Sequence, residues 1–368
     1  MSHRFRHPLP RASLTARRLL CALVPALLGV PLALTAPAPA TRVLAVSKPP
    51  APVLPSDPAP GRLFGSPDDL SSARTLFTTA GGPRDLGYVV FGGGDAYITF
   101  DDGPDARAPG GFMVVRALGG RPGGHFDAGR DRWLSGPRAA LQQPKDLELA
   151  PTRRAVIVAD FGAANVKVFD MAARGDAAPR FVAANLGAPG RRPWGLAYDE
   201  RADRLFVGAT DGTLLVYDRF LGSRGGAGPS RTVMPTLRGE GVSANLHDLV
   251  YVRERDTVIV LDVGPATETN QAGFDTDGSL LVLRGASRAS GRTPAHLRVR
   301  GPASQLGNPV GLTLDGERVF VAEKARDVVL RFDGLLTLAG DRDLAPSAAV
   351  SVIEPESVAL MPGPPRPR

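Results

Sequence analysis

The feature that most constrains this chain is a motif that recurs six times. A turn residue is followed by two variable positions, then Leu (Val in the last copy), then an alternating strand. The copies are Pro83-Arg84-Asp85-Leu86, Pro144-Lys145-Asp146-Leu147, Pro193-Trp194-Gly195-Leu196, Leu246-His247-Asp248-Leu249, Pro309-Val310-Gly311-Leu312 and Pro355-Glu356-Ser357-Val358. Their starts are 61, 49, 53, 63 and 46 residues apart. Each full copy continues with short β-branched-rich runs between turn residues. Examples are Arg204-Leu205-Phe206-Val207 and Leu214-Leu215-Val216-Tyr217-Asp218, with a weaker fourth run such as Arg180-Phe181-Val182-Ala183-Ala184. The runs are four to six residues long, and no amphipathic helical period competes with them. Four strands per unit of this length describe the blade of a propeller. A sandwich would not repeat one order of strands and turns six times.

The last copy leaves room for a single strand. Three N-terminal segments, Thr41–Val46, Arg62–Gly65 and Arg74–Thr79, have strand character and would complete that blade. The expected fold is therefore all-β: a six-bladed β-propeller whose last blade is closed by strands from both termini. Trimming either end would open a blade and expose unpaired strand edges.

Composition adds limits. Hydrophobic residues are 43% and charged residues 22%, enough for a sizeable core. The formal charge of +7 misleads, because residues 1–40 hold five arginines and no acid; the rest has 39 basic and 37 acidic residues. That balance gives no basic stripe for nucleic acid. Residues 1–40 read as a cleaved signal peptide, with Arg17-Arg18, the apolar run Leu19 to Leu34, then small residues to Ala40. Pro25 and Pro31 interrupt the run, and no stable membrane span is expected. Cys21 is the sole cysteine and lies in that segment, so the mature chain has no disulfide or thiol site. Residues 41–80 hold the closing strands and a Pro-rich stretch over 47–62. Residues 81–361 carry the repeats, and 362–368 form a Pro-rich disordered tail.

The repeats resemble the NHL family, on Pro193-Trp194-Gly195-Leu196-Ala197-Tyr198-Asp199, Val158-Ala159-Asp160, Val168-Phe169-Asp170, Val321-Ala322-Glu323 and Phe332-Asp333. The resemblance covers about residues 80 to 360 and implies architecture more than function. Gluconolactonase-like and strictosidine-synthase-like propellers are its neighbours. The gluconolactonase-like resemblance implies one divalent metal in the channel, held by a Glu and Asn/Asp ligands. This chain has no matching Glu-Gly-Pro segment, while Asn245 and Asn308 are possible carbonyl ligands.

Candidate site residues follow from the register. Asp85, Asp146 and Asp248 precede the repeat Leu in three copies and would meet near the channel axis, where hard oxygen ligands suit Ca²⁺. Alternatively each caps its own turn through backbone N–H groups. Arg84, Lys145, Trp194, His247 and Glu356 stand one position earlier and are candidates for the mouth of the ring. Two long hairpins, 101–110 and 262–278, are the candidate partner-contact loops. Asp275-Thr276-Asp277-Gly278 lacks the spacing of a full Ca²⁺ loop. Histidines 125, 247 and 296 are too scattered for a zinc site, and no nucleophile elbow or phosphate loop is present. The expectation is a secreted or periplasmic monomer that binds a protein or cell-surface glycan without an identifiable catalytic set. It needs no cofactor, although Ca²⁺ is possible. The alternative is a metal-dependent lactonase or hydrolase with its carboxylates in the channel.

Overall fold

A computed structural model describes residues 42–48, 60–103, 110–121, 123–226, 228–265 and 273–362. The expected signal peptide, the segment beyond residue 362 expected to be a tail, most of the Pro-rich stretch and the centres of both long hairpins lie outside the described residues.

Six antiparallel sheets of four strands each surround a central channel. From the innermost strand outward, blade 1 is Arg84–Gly92, Asp95–Asp102, Gly111–Val115 and Arg132–Ser135. Blade 2 is Pro144–Ala150, Ala155–Asp160, Asn165–Asp170 and Phe181–Ala183. Blade 3 is Pro193–Asp199, Arg204–Ala209, Leu214–Asp218 and Arg231–Leu237. Blade 4 is Leu246–Val252, Thr257–Asp262, Ser279–Arg284 and Leu297–Val299. Blade 5 is Pro309–Asp315, Arg318–Glu323, Val328–Asp333 and Ala348–Ser351. Blade 6 takes its innermost strand, Pro355–Met361, from the C-terminal end and the next three, Arg42–Ser47, Arg62–Pro67 and Arg74–Thr78, from the N-terminal end. Arg42–Ser47 pairs antiparallel with Pro355–Met361 through Leu44↔Ala359 and Val46↔Ser357, so the ring closes as expected.

The runs are apolar on both faces because every blade is sandwiched between two others. In blade 2, Val156 and Val158 pack against blade 1, while the alternating Ala155, Ile157 and Ala159 pack against blade 3. Among the described residues there are six buried apolar clusters, one for each blade-to-blade interface. Outer edges are covered by short parallel strands from the following blade. Gly124–His125 lies on blade 6, Gly291–Pro294 on blade 3 and Gly340–Arg342 on blade 4. Such straps blunt the exposed edges that would otherwise template aggregation.

Register places the innermost strands on a common frame. Pro144, Pro193, Leu246 and Pro309 each lie opposite the last residue of the second strand, Asp160, Ala209, Asp262 and Glu323. In blade 1 the last residue of the second strand, Asp102, lies opposite Arg84, but the bulge that directly follows Pro144, Pro193, Leu246 and Pro309 falls between Leu86 and Val89, so Leu86 takes their place. The slot of Asp146, Gly195, Asp248, Gly311 and Ser357 is therefore filled by Tyr88, three residues beyond Asp85. The expectation that Asp85 is equivalent to Asp146 and Asp248 is corrected on this point. Pro83-Arg84-Asp85-Leu86 reproduces the residue types of the motif, but the strand is already paired at Arg84 and its bulge comes only after Leu86.

Candidate functional site

The free edge of each innermost strand faces the channel and presents backbone N–H groups with no sheet partner. Two aspartates meet this need. Asp146 accepts from Leu147 N at 2.6 Å and from Leu196 N of blade 3 at 2.6 Å. Asp248 accepts from Leu249 N at 2.7 Å and from Leu312 N of blade 5 at 2.5 Å. Each carboxylate thus caps its own strand and ties it to the next blade. Between blades 6 and 1 the hydroxyl of Ser357 donates to the Gly87 carbonyl at 3.1 Å. The slots that alternate with the aspartates are glycines for a steric reason. A Cβ on Gly195 would sit 1.9 Å from the His247 carbonyl oxygen, and one on Gly311 would sit 2.6 Å from the Ser357 Cα.

Tyr88 reaches across the ring. Its phenol donates to the Val310 carbonyl of blade 5 at 2.5 Å and stands beside Asp248. Burial raises the pKa of this phenol well above its ordinary value, and the nearby Asp248 and Asp146 charges push the same way. Burial also lifts Asp248 to about 7 and Glu148 to about 8, with Asp248 repelling Glu148. Asp146 is raised by burial and then by the charge of Asp248. The channel is therefore an acid-rich, hydrogen-bonded core crossed by an aromatic ring. Among the described residues no group of three or more His, Asp or Glu side chains is arranged to hold a metal ion. Asp85 stands apart on the rim, where it pairs with Lys48 at 2.9 Å.

The mouth lies where the innermost strands begin. Its residues form an almost continuous circuit. Lys145 Nζ pairs with Asp101 at 2.6 Å and lies 5.1 Å from the centre of the Trp194 ring. That indole stacks on His247 at 3.8 Å and 11° and takes the edge of Phe161 at 5.2 Å. Burial, then Lys145 and Lys324, hold the imidazole of His247 well below its ordinary value, so it is neutral at pH 7. Lys324 pairs with Glu356, and Glu356 lies 3.8 Å from Lys48. Burial works against the charge on Lys48, and Glu356 and Asp85 outweigh it. Arg84 is set further out and pairs with Asp102 at 3.1 Å. Of the five mouth candidates, Lys145, Trp194, His247 and Glu356 thus share the circuit, while Arg84 does not.

Among the described residues, four buried acceptors in this region lack a hydrogen-bond partner: Asp101 Oδ1, His247 Nδ1, Asn245 Oδ1 and Asn308 Oδ1. The repeat pattern does not single out Asp101, Lys48 or Lys324, because they come from the ends of second strands and from the N-terminal segment. A related signal was present in the sequence. The acid that ends the second strand, Asp160, Asp262 or Glu323, accepts from the two N–H groups that lead into the same blade: Gln142 and Gln143, Ala244 and Asn245, Gly307 and Asn308. These acids orient the loops that carry Asn245 and Asn308 to the mouth.

No family model and no curated protein matches the chain. Solved structures do. One chain of a nidogen/laminin complex superposes with a TM-score of 0.56 at 11% identity, covering 87% of this chain and 98% of that one. A periplasmic gluconolactonase of Pseudomonas aeruginosa superposes with a TM-score of 0.51 at 13% identity, covering 88% of this chain and 99% of that one. At such identities the likeness is one of fold, and the chain is a six-bladed β-propeller similar in architecture to both.

Proposed function

We propose that the chain is an exported binding propeller whose mouth recognises a hydroxyl-rich group, a sugar residue of a cell-surface glycan. The observation that carries this reading is the set of unpartnered buried acceptors at Asp101, His247, Asn245 and Asn308 beside the lysines Lys145, Lys324 and Lys48. A sugar hydroxyl both donates and accepts, so it can answer the acceptors and receive from the lysines at once. An acceptor left unmet in a buried place costs about 1–3 kcal/mol, which a hydroxyl donor recovers. The alternating charges of the circuit favour a polar ligand over an apolar one. The export reading rests on residues 1–40. The test is binding of a panel of neutral and uronate-containing oligosaccharides, followed by calorimetry on the best one. Replacing Asn245 and Asn308 together by Leu is expected to weaken the best ligand at least tenfold while leaving the melting temperature within a few degrees. A panel with no ligand, or a ligand indifferent to both substitutions, refutes the reading.

A second reading has its own observation. His247 is neutral, has a free ring nitrogen, and lies between the fields of Lys145 and Lys324. A neutral imidazole can accept a proton from water, and an ammonium group can stabilise the oxyanion formed when a lactone carbonyl is attacked. Hydrolysis of a sugar lactone is the reaction to assay. Turnover lost in His247→Asn, with fold retained, would establish it; no turnover by the parent protein would end it.

A further inference from the structure

The opposite face carries a different chemistry. The innermost strands start at the mouth and run away from it, so the hairpins after first strands and the turns after third strands lie on the far side. There, between blades 1 and 2, a cleft of about 550 Å³ is lined by Arg116, Arg130, Arg132, Arg174, Asp131 and Trp133. It continues past Tyr97 and Arg154. Five guanidinium groups thus converge on one groove.

Several surface arginines elsewhere on this molecule have acids of their own. Arg204 and Arg231 share Asp218, Arg298 pairs with Asp341, and Arg318 pairs with Asp68. In the cleft this pairing fails. Both oxygens of Asp131 are engaged by Arg121, with the backbone N–H groups of Arg116 and Asp127 adding to them. Asp95 accepts from the backbone N–H of Ala117. Arg154 reaches Asp170 only at 3.9 Å, and Asp170 already holds Arg180. The side chains of Arg116, Arg130 and Arg174 have no partner among the described residues. Arg132 is fixed as a floor: it donates to the Met171 carbonyl at 2.6 Å and lies over the Tyr97 ring at 5.9 Å. Like charges gathered without counter-ions repel, and a multivalent anion removes that repulsion.

We propose that this cleft is a second binding site, separate from the mouth, for a small ligand carrying two or more phosphate or sulfate groups. The guanidinium fork matches the oxygens of both groups in bidentate fashion. The volume is that of a small-molecule site. Two probes separate the sources of the anion: tripolyphosphate, and a trisulfated disaccharide. Calorimetry on the whole protein is expected to show binding of at least one, weakening as salt is raised. Replacing Arg116, Arg130 and Arg174 together by Gln is expected to weaken it at least tenfold. Replacing the exposed Arg201, Arg238 and Arg288 by Gln removes the same charge from other surfaces and is expected to change it less than twofold. The probe that binds more tightly identifies the group. Failure of both probes to bind, or equal losses in the two triple variants, overturns the site. Neither result depends on whether the mouth binds a glycan.

Discussion

Asp248 is the residue on which two blades depend together, since one oxygen caps Leu249 and the other caps Leu312 of the next blade. Removing the carboxylate leaves two N–H groups unmet in the channel, each worth about 1–3 kcal/mol. Relief of repulsion with Asp146 and Glu148 returns part of that loss. The expected outcome for Asp248→Ala is a net destabilisation of about 1–3 kcal/mol in urea unfolding at pH 7. Asp85→Asn, which tolerates the same left-handed backbone, removes only a rim pair with Lys48, and its effect is expected to stay below about 1 kcal/mol. Equal losses in the two variants would show that the register assigned through Tyr88 is wrong. The sequence motif treats the two aspartates alike. What separates them is the place of the bulge, which falls after the first motif residue in blades 2 to 5 and after Leu86 in blade 1, a shift that no residue type announces. The Tyr88–Val310 contact was equally hidden, because it joins positions 222 residues apart across the channel.

At the scale of elements, the strand Arg42–Ser47 bears the most consequence for its length. It is hydrogen-bonded on one side to the C-terminal strand and on the other to Arg62–Pro67, and it buries Val43, Leu44, Ala45 and Val46. Without it, Pro355–Met361 loses its sheet partner and two blade interfaces lose apolar cover. A chain starting at residue 49 is expected to lose its cooperative melting transition and to aggregate, whereas a chain starting at residue 41 should melt like the parent. Scanning calorimetry and size-exclusion chromatography distinguish these outcomes; a cooperative monomer starting at residue 49 would contradict the closure. This element was readable in advance, as were the repeat strands, because a blade buried on both faces writes an unbroken β-branched run such as Ala155–Asp160. The edge straps were not readable. Gly124–His125 and Gly340–Arg342 are two and three residues long, partly or fully exposed, and carry no period of their own. The mouth was readable in part: Lys145, Trp194, His247 and Glu356 fall at one repeat position, whereas Lys48, Asp101 and Lys324 arrive by contacts between distant segments.

Over the whole molecule, the buried acids set how stability responds to pH. Asp262 is raised to about 6, Asp248 and Glu323 to about 7, and Glu148 to about 8, all chiefly by burial. A carboxyl raised in the folded state binds its proton more tightly there than in the unfolded chain. Its contribution is complete below the unfolded value near 4 and is lost as pH climbs through the folded value. Four such groups act in the same direction between about pH 4 and 8. His247 acts against them, because its lowered folded value favours the unfolded chain once pH falls below about 6.5. Ion-paired surface acids also act against them at lower pH: Asp218, held down by Arg231, and Asp341, held down by Arg298, lose their contribution as they protonate. One histidine and a few exposed pairs are weaker than four buried carboxyls, so the balance leaves a maximum on the acidic side of neutrality. The melting temperature is expected to be highest near pH 5–6, to fall by several degrees toward pH 8.5, and to fall again below about pH 4. Asp248→Asn removes one of the four titrations and should make the alkaline slope shallower. A melting temperature that rises from pH 5.5 to 8.5 would mean that the channel carboxylates are stabilised as anions by something in solution, and a divalent cation added at pH 8.5 would be the next measurement.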